Sequence, residues 1–152
     1  MNENKQLKVS AIKNGTVIDH IPPRNLFKVI SILGLDKVEN QITFGTNLES
    51  KKLGKKAIIK ISDVYFLDDE INKIALVAPQ AKLNIIRDYQ VIEKKVVEVP
   101  DKIVGIVKCF NPKCITNHEN IVTKFIVASK KDVSLKCCYC EKITYQDQIV
   151  IV

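Results

Sequence analysis

Cys109-Phe110-Asn111-Pro112-Lys113-Cys114, answered after 22 intervening residues by Cys137-Cys138-Tyr139-Cys140, is the stretch that decides how the last third of this chain folds. Four residues separate the first two cysteines and two separate Cys137 from Cys140, so each segment can turn tightly enough to bring two thiolates to one ion. Two such knuckles supply four sulfurs, which complete a tetrahedral zinc shell and leave no position open for water or substrate. Cys109, Cys114, Cys137 and Cys140 are therefore the candidate ligands of one structural zinc ion. Cys138 is left as a free thiol, because a pair with a single intervening residue splays its sulfurs along an extended chain. His118, between the knuckles, reads as a surface loop residue. Disulfides are the competing reading. The polar start Met1-Asn2-Glu3-Asn4-Lys5 lacks the apolar stretch of a signal peptide, which predicts a cytoplasmic chain. Clustered cysteines in that reducing compartment hold metal.

The composition, 152 residues with 46% hydrophobic and 27% charged, is that of a soluble globular protein with one good core or two small ones. Apolar runs such as Ile149-Val150-Ile151-Val152 have strand length, far short of the ~20 residues that cross a bilayer, so no membrane partner is expected. A net charge of +7 favours a polyanionic ligand or an acidic surface without choosing between them. The densest local charge is Lys51, Lys52, Lys55, Lys56 and Lys60. No Walker loop, no Gly-x-Gly-x-x-Gly and no Gly-x-Ser-x-Gly occurs, and the metal shell would be full, so an enzyme is not expected.

Upstream of the knuckles, residues 7–13 and 16–21 read as strands around the turn Asn14-Gly15, predicting a β-hairpin ended by Pro22-Pro23. Leu26, Val29, Ile30 and Leu33 recur at helical spacing ahead of Gly34. Residues 41–48 and 57–61 read as two strands joined by the lysine-rich loop. Asp68 or Asp69 is placed to cap a second helix, with Ile71, Ile74, Ala75 and Ala78 as its buried stripe and Pro79 as its stop. Strands over 82–87 and 90–99 follow. This order predicts an α+β fold, an antiparallel or mixed sheet with two helices on one face, a ferredoxin-like sandwich. Pro100-Asp101 marks the seam, giving a domain over residues 1–100 and a small all-β zinc domain over 101–152, with short strands at 103–108, 124–129, 134–136 and 143–152. A unit of that size has too little core to be safe alone, and a structural zinc can add on the order of 10–16 kcal/mol.

The segments Ala11-Ile12-Lys13-Asn14-Gly15-Thr16-Val17-Ile18-Asp19-His20-Ile21-Pro22, Ala78-Pro79-Gln80-Ala81 and the two knuckles resemble the regulatory chain of aspartate carbamoyltransferase, and the resemblance spans essentially the whole sequence. It implies an N-terminal allosteric domain that binds nucleotides and pairs with its twin as a homodimer, and a zinc domain that docks on the catalytic chain. CTP and UTP as inhibitors and ATP as activator of pyrimidine biosynthesis follow from the same likeness. It also assigns a nucleotide site. Val9, Ala11 and Ile12 would face base and ribose from the first strand, with Val17, Asp19 and His20 beyond the turn. Lys60 would reach base and ribose; Lys94, with Asn84 and His20 nearby, would meet the triphosphate; Ile86, Tyr89 and Val91 would complete the base side. Gln6 and Ser10 depart from the lysine and acidic residue of better-known members, and Lys113 replaces an uncharged residue. Asn111, Glu141 and Lys142 are the matched candidates for the docking surface.

A zinc-ribbon nucleic-acid-binding protein is the rival reading, favoured by the pI of about 9.1. Against it, residues 101–152 contain no arginine, the side chain that most often reads bases, so no nucleic-acid partner is expected.

Overall fold

The computed structural model describes residues 11–152. Its N-terminal part holds β1 (Gly15–Ile21), α1 (Leu26–Ile32), β2 (Ile42–Ser50), β3 (Gly54–Ser62), α2 (Asp68–Asn72), β4 (Lys82–Arg87) and β5 (Gln90–Val96). These strands form one sheet in the order β2-β3-β1-β4-β5, and every neighbouring pair is antiparallel. Each helix connection skips over one strand, so the chain traces two interlocked split βαβ units. This is the α+β sandwich that the pattern predicted.

Alternation decides which side of the sheet is covered. Ile18, Ile59 and Leu83 are fully buried and cluster with Leu26 and Val29 of α1 and Ile71 of α2, so both helices pack on that face. Residues one step out of phase, among them Val17, Lys60 and Asn84, lie on the other face. Gly34, at φ 65°, ends the α1 region, a left-handed conformation that glycine adopts without a Cβ clash.

The predicted hairpin is corrected. Both edges of β1 are occupied, by β3 on one side and β4 on the other, and Ala11–Lys13 carry no strand, while residues 7–10 lie outside the described residues. Asn14 instead ties three segments together: its carbonyl accepts the Asp63 N–H at 3.0 Å and its side-chain oxygen accepts the Asp88 N–H at 3.1 Å. Gly15 is needed there for a different reason than a hairpin turn. At φ 140° its missing Cβ leaves room for the Ile61 carbonyl oxygen, which would stand 2.0 Å from such an atom.

The second helix is shorter than its sequence suggests. Leu67 occupies the N-cap, not Asp68 or Asp69, and its N–H donates to the Glu70 carboxylate at 3.1 Å. After Asn72 the chain tightens into a 3-10 turn over Lys73–Leu76, which buries Leu76 and Val77 as well as the expected Ile74, Ala75 and Ala78. β5 likewise ends at Val96, before the predicted 99.

Beyond the seam lie β6 (Lys102–Val104), β7 (Val107–Lys108), β8 (Lys124–Ser129), β9 (Ser134–Cys137), β10 (Ile143–Tyr145) and β11 (Val150–Ile151). Four make an antiparallel sheet in the order β10-β9-β8-β6, and β7 pairs with β11. The strand expected over 103–108 is broken at Gly105, φ 71°, and that over 143–152 by a 3-10 turn at Gln146–Gln148. One continuous buried cluster runs from Ile18 to Ile149 across the seam. Lys28 donates to the Ile149 carbonyl at 2.9 Å, and Gln146 donates to the Leu76 carbonyl at 3.1 Å. Among the described residues no helix is long and apolar enough to cross a membrane.

Candidate functional site

The four cysteines of the two knuckles converge. Their sulfurs all lie within 4.8 Å of one another, with Cys109 and Cys140 at 3.6 Å and Cys114 and Cys137 at 3.8 Å. A tetrahedron with Zn–S bonds of about 2.3 Å has edges of about 3.8 Å, so these separations suit zinc held by sulfur alone. Cys109, Cys114 and Cys137 are buried and Cys140 is half-buried, whereas Cys138 is exposed and outside the cluster. His118 is exposed in the loop between knuckles, as its sequence position suggested.

Local hydrogen bonds aim the sulfurs. The Cys114 N–H donates to the Asn111 carbonyl at 3.0 Å, and the Lys113 N–H donates to the Asn111 side-chain oxygen at 3.1 Å, closing the first knuckle. In the second, Glu141 adopts φ 63° while its N–H donates to the Cys137 carbonyl, and the Tyr139 N–H approaches the Cys137 sulfur at 3.4 Å. Burial pushes the Cys109 and Cys137 thiols up. Burial acts on Cys140 in the same direction, but the Lys142 N–H, the Asn111 side chain and its neighbouring thiols outweigh it and bring Cys140 down to about 7. A dication among these sulfurs would favour the thiolate throughout.

Asn117 was not singled out from sequence. Its amide donates to the Cys109 carbonyl at 3.0 Å and to the Asn111 carbonyl at 2.7 Å, holding the first knuckle from behind. An Asn eight residues beyond Cys109 gives no periodic signal, so only the folded chain reveals it. Asn111, matched to the docking surface, is half-buried and spends its side chain within the knuckle, while Lys113, Glu141 and Lys142 are exposed.

On the other unit, the helix-free face of the sheet collects the residues assigned to nucleotide. Val17 lies directly opposite Lys60 on one side and Asn84 on the other, and Asn84 lies opposite Lys94, so these residues form one row across four strands. Lys60 and Lys94 are thus three strand spacings apart, about 14 Å at about 4.8 Å each. Ile12, Val17 and Ile86 make a small buried apolar floor of their own, with Ile58 packed beside it. Val91 pairs with Ile86, Tyr89 is exposed at φ 65° and receives its position from a bond between its N–H and the Lys13 carbonyl, and Ala11 is exposed. Val9 lies outside the described residues.

His20 sits in a bulge of β1 at φ 61°, where the register shifts between Ile18 and Ile21. The Asp19 carboxylate takes the His20 N–H at 2.6 Å and pairs with Lys56 at 2.9 Å. Nδ1 of His20 is buried with no hydrogen-bond partner, 3.7 Å from Asp19. Burial lowers the His20 pKa, partly opposed by Asp19 and reinforced by Lys56, Lys52 and Lys82. Lys60 is also lowered, again chiefly by burial. Lys56 and Lys82 therefore join this face, and the alternation Lys56, Ile58, Lys60 is the signal by which the first could have been found.

Comparison with known proteins finds a match for each part of the chain. The family described as the aspartate carbamoyltransferase regulatory chain, allosteric domain, matches residues 7–98, and the metal binding domain of the same chain matches residues 101–150. The aspartate carbamoyltransferase regulatory chain of Bacteroides fragilis is 59% identical over 153 residues, covering 100% of both chains. That of Pyrococcus horikoshii is 53% identical over 147 residues, covering 95% of this chain and 97% of its own. The metal-binding family and the four close sulfurs together support one structural metal ion, consistent with zinc. Relatives of this kind are named regulatory, so the chain is not itself an enzyme. By full-length similarity and by both matched domains, it belongs to the aspartate carbamoyltransferase regulatory chain family.

Proposed function

We propose that this chain is the nucleotide sensor of a cytoplasmic aspartate carbamoyltransferase, with residues 1–100 as the sensing domain and residues 101–152 as the zinc domain that docks on the catalytic chain. CTP and UTP act as inhibitors and ATP as activator, so the pyrimidine pathway is controlled by its products and by purine supply. Two copies pair through the sensing domain. Cys109, Cys114, Cys137 and Cys140 hold the zinc, which keeps the docking surface folded and does no chemistry.

The observation that carries the nucleotide reading is the row Lys60–Val17–Asn84–Lys94 over an apolar floor. It offers an apolar patch where a base can lie, with Lys60 at one end to reach base and ribose and the Lys94 ammonium at the other, where charge-assisted bonds to phosphate form. Sensing at a site remote from another chain's active site requires that each nucleotide bind two quaternary states with different affinity.

Calorimetry on the zinc-loaded full chain tests this. CTP is expected to bind, and Lys94→Ala is expected to weaken it about 10- to 100-fold, the loss of one or more hydrogen bonds to a charged group, while leaving cytidine binding little changed. Absence of CTP binding, alone and with the catalytic chain present, would refute the reading.

A further inference from the structure

Lys82 opens β4 and stands directly opposite Asp19 of β1. Register alone would pair these two charges. The Asp19 carboxylate is instead committed to Lys56 at 2.9 Å and to the His20 N–H at 2.6 Å. Lys82 is exposed and makes no ion pair among the described residues. It lies opposite Val96 on β5, and Lys94 is two residues back along that strand, so the two lysines are diagonal neighbours on the helix-free face. Diagonal positions of this kind are about 7–8 Å apart, within joint reach of two long side chains.

The surroundings add positive charge and little to offset it. Lys52, Lys56 and Lys82 all act on His20, whose buried Nδ1 has no partner, and Asp19 is the acidic group that faces them. Like charges on adjacent strands oppose folding slightly. A concentrated anion with several oxygens would reverse that cost, and a phosphate chain extending past Lys94 toward His20 meets Lys82 on the way.

We infer that Lys82 is a further phosphate-binding residue of this face, acting with Lys94 on the distal phosphates, so that the site ranks nucleotides by the number of phosphates they carry. The inference rests on the nucleotide reading above. It places base recognition with Val17, Lys60 and Ile86, and phosphate counting with Lys82 and Lys94.

The test is a ladder of CMP, CDP and CTP titrated into the zinc-loaded full chain and its Lys82→Gln, Lys82→Arg and Lys136→Gln variants, each checked for an unchanged melting curve. Lys82→Gln is expected to weaken CTP about 10-fold and CMP less than 2-fold, flattening the ladder. Lys82→Arg is expected to keep the ladder, and Lys136→Gln, which removes the same charge from the zinc domain, to leave it unmoved. Wild-type CTP binding with an unaltered ladder in Lys82→Gln overturns the role of Lys82 and spares the nucleotide reading. An equal loss of CMP and CTP overturns it too, because the residue would then not count phosphates. No CTP binding by the wild type overturns both.

Discussion

Replacing Cys114 by serine removes one sulfur from the centre of the knuckles. Cys114 is 1% exposed, its sulfur lies 3.8 Å from that of Cys137, and the Thr116 hydroxyl approaches it at 3.2 Å. A serine oxygen sits closer to the backbone than sulfur, keeps its proton and is a poor partner for zinc, so three thiolates remain where four are needed. If a structural zinc contributes about 10–16 kcal/mol over four ligands, one ligand accounts for about 2.5–4 kcal/mol. That corresponds to zinc binding weakened by about two to three orders of magnitude. Zinc content by atomic emission, measured with amide exchange of β8 and β9, reads both consequences: the metal is expected to be lost and the strands to lose protection. Cys138→Ser, at an exposed thiol outside the cluster, is expected to change neither. Full zinc occupancy and unaltered exchange in Cys114→Ser, or zinc loss confined to Cys138→Ser, would refute the ligand assignment.

Asn117→Ala removes two bonds that hold the first knuckle and is expected to destabilise the zinc-loaded chain by about 1–3 kcal/mol, read by urea denaturation. An unshifted midpoint would show that the knuckle is held without it. Gly15→Ala would place a methyl 2.0 Å from the Ile61 oxygen and force β1 away from β3, at a cost of about 2–5 kcal/mol when overpacking and left-handed strain are combined. The same denaturation assay is expected to show it, with the helix-free face of the sheet disturbed as well. His20 predicts a pH effect. Burial holds its folded-state pKa below the ordinary 6.5, so as pH falls through 6.5 the unfolded chain takes up the proton first. Stability is therefore expected to decline from about pH 6.5 downward and to level off once the folded-state pKa is passed, and His20→Gln is expected to remove that part of the profile. An identical profile in the variant would sink the argument.

Sequence alone gave reliable access to whatever depends on spacing along the chain. The four ligands, the apolar stripe of α1, the helix-terminating Gly34 and most strand positions all rest on local periodicity, and the structure has them where that periodicity put them. Pairing across the sheet is another matter. Asn14-Gly15 has the composition of a hairpin turn, yet Asn14 bonds to Asp63 and Asp88, residues far along the chain, and no local signal announces such partners. The Leu67 cap was missed for a similar reason: two aspartates follow it, and the bond that matters comes from Glu70 reaching back. For the helix-free face, family likeness supplied the residues proposed to meet nucleotide, while Lys82 emerged only when register set β4 against β1.

The buried cluster that crosses the seam has a consequence for the living cell. Ile149 and Phe125 on one side share a core with Ile18 and Leu26 on the other, so loosening the cysteine knuckles withdraws support from the five-stranded sheet as well. Zinc that binds only the folded chain then shifts the folding equilibrium of both halves by mass action. The pool of intact chain would track metal supply, and in a zinc-starved cell proteases would remove it as one unit, leaving no orphaned N-terminal fragment behind.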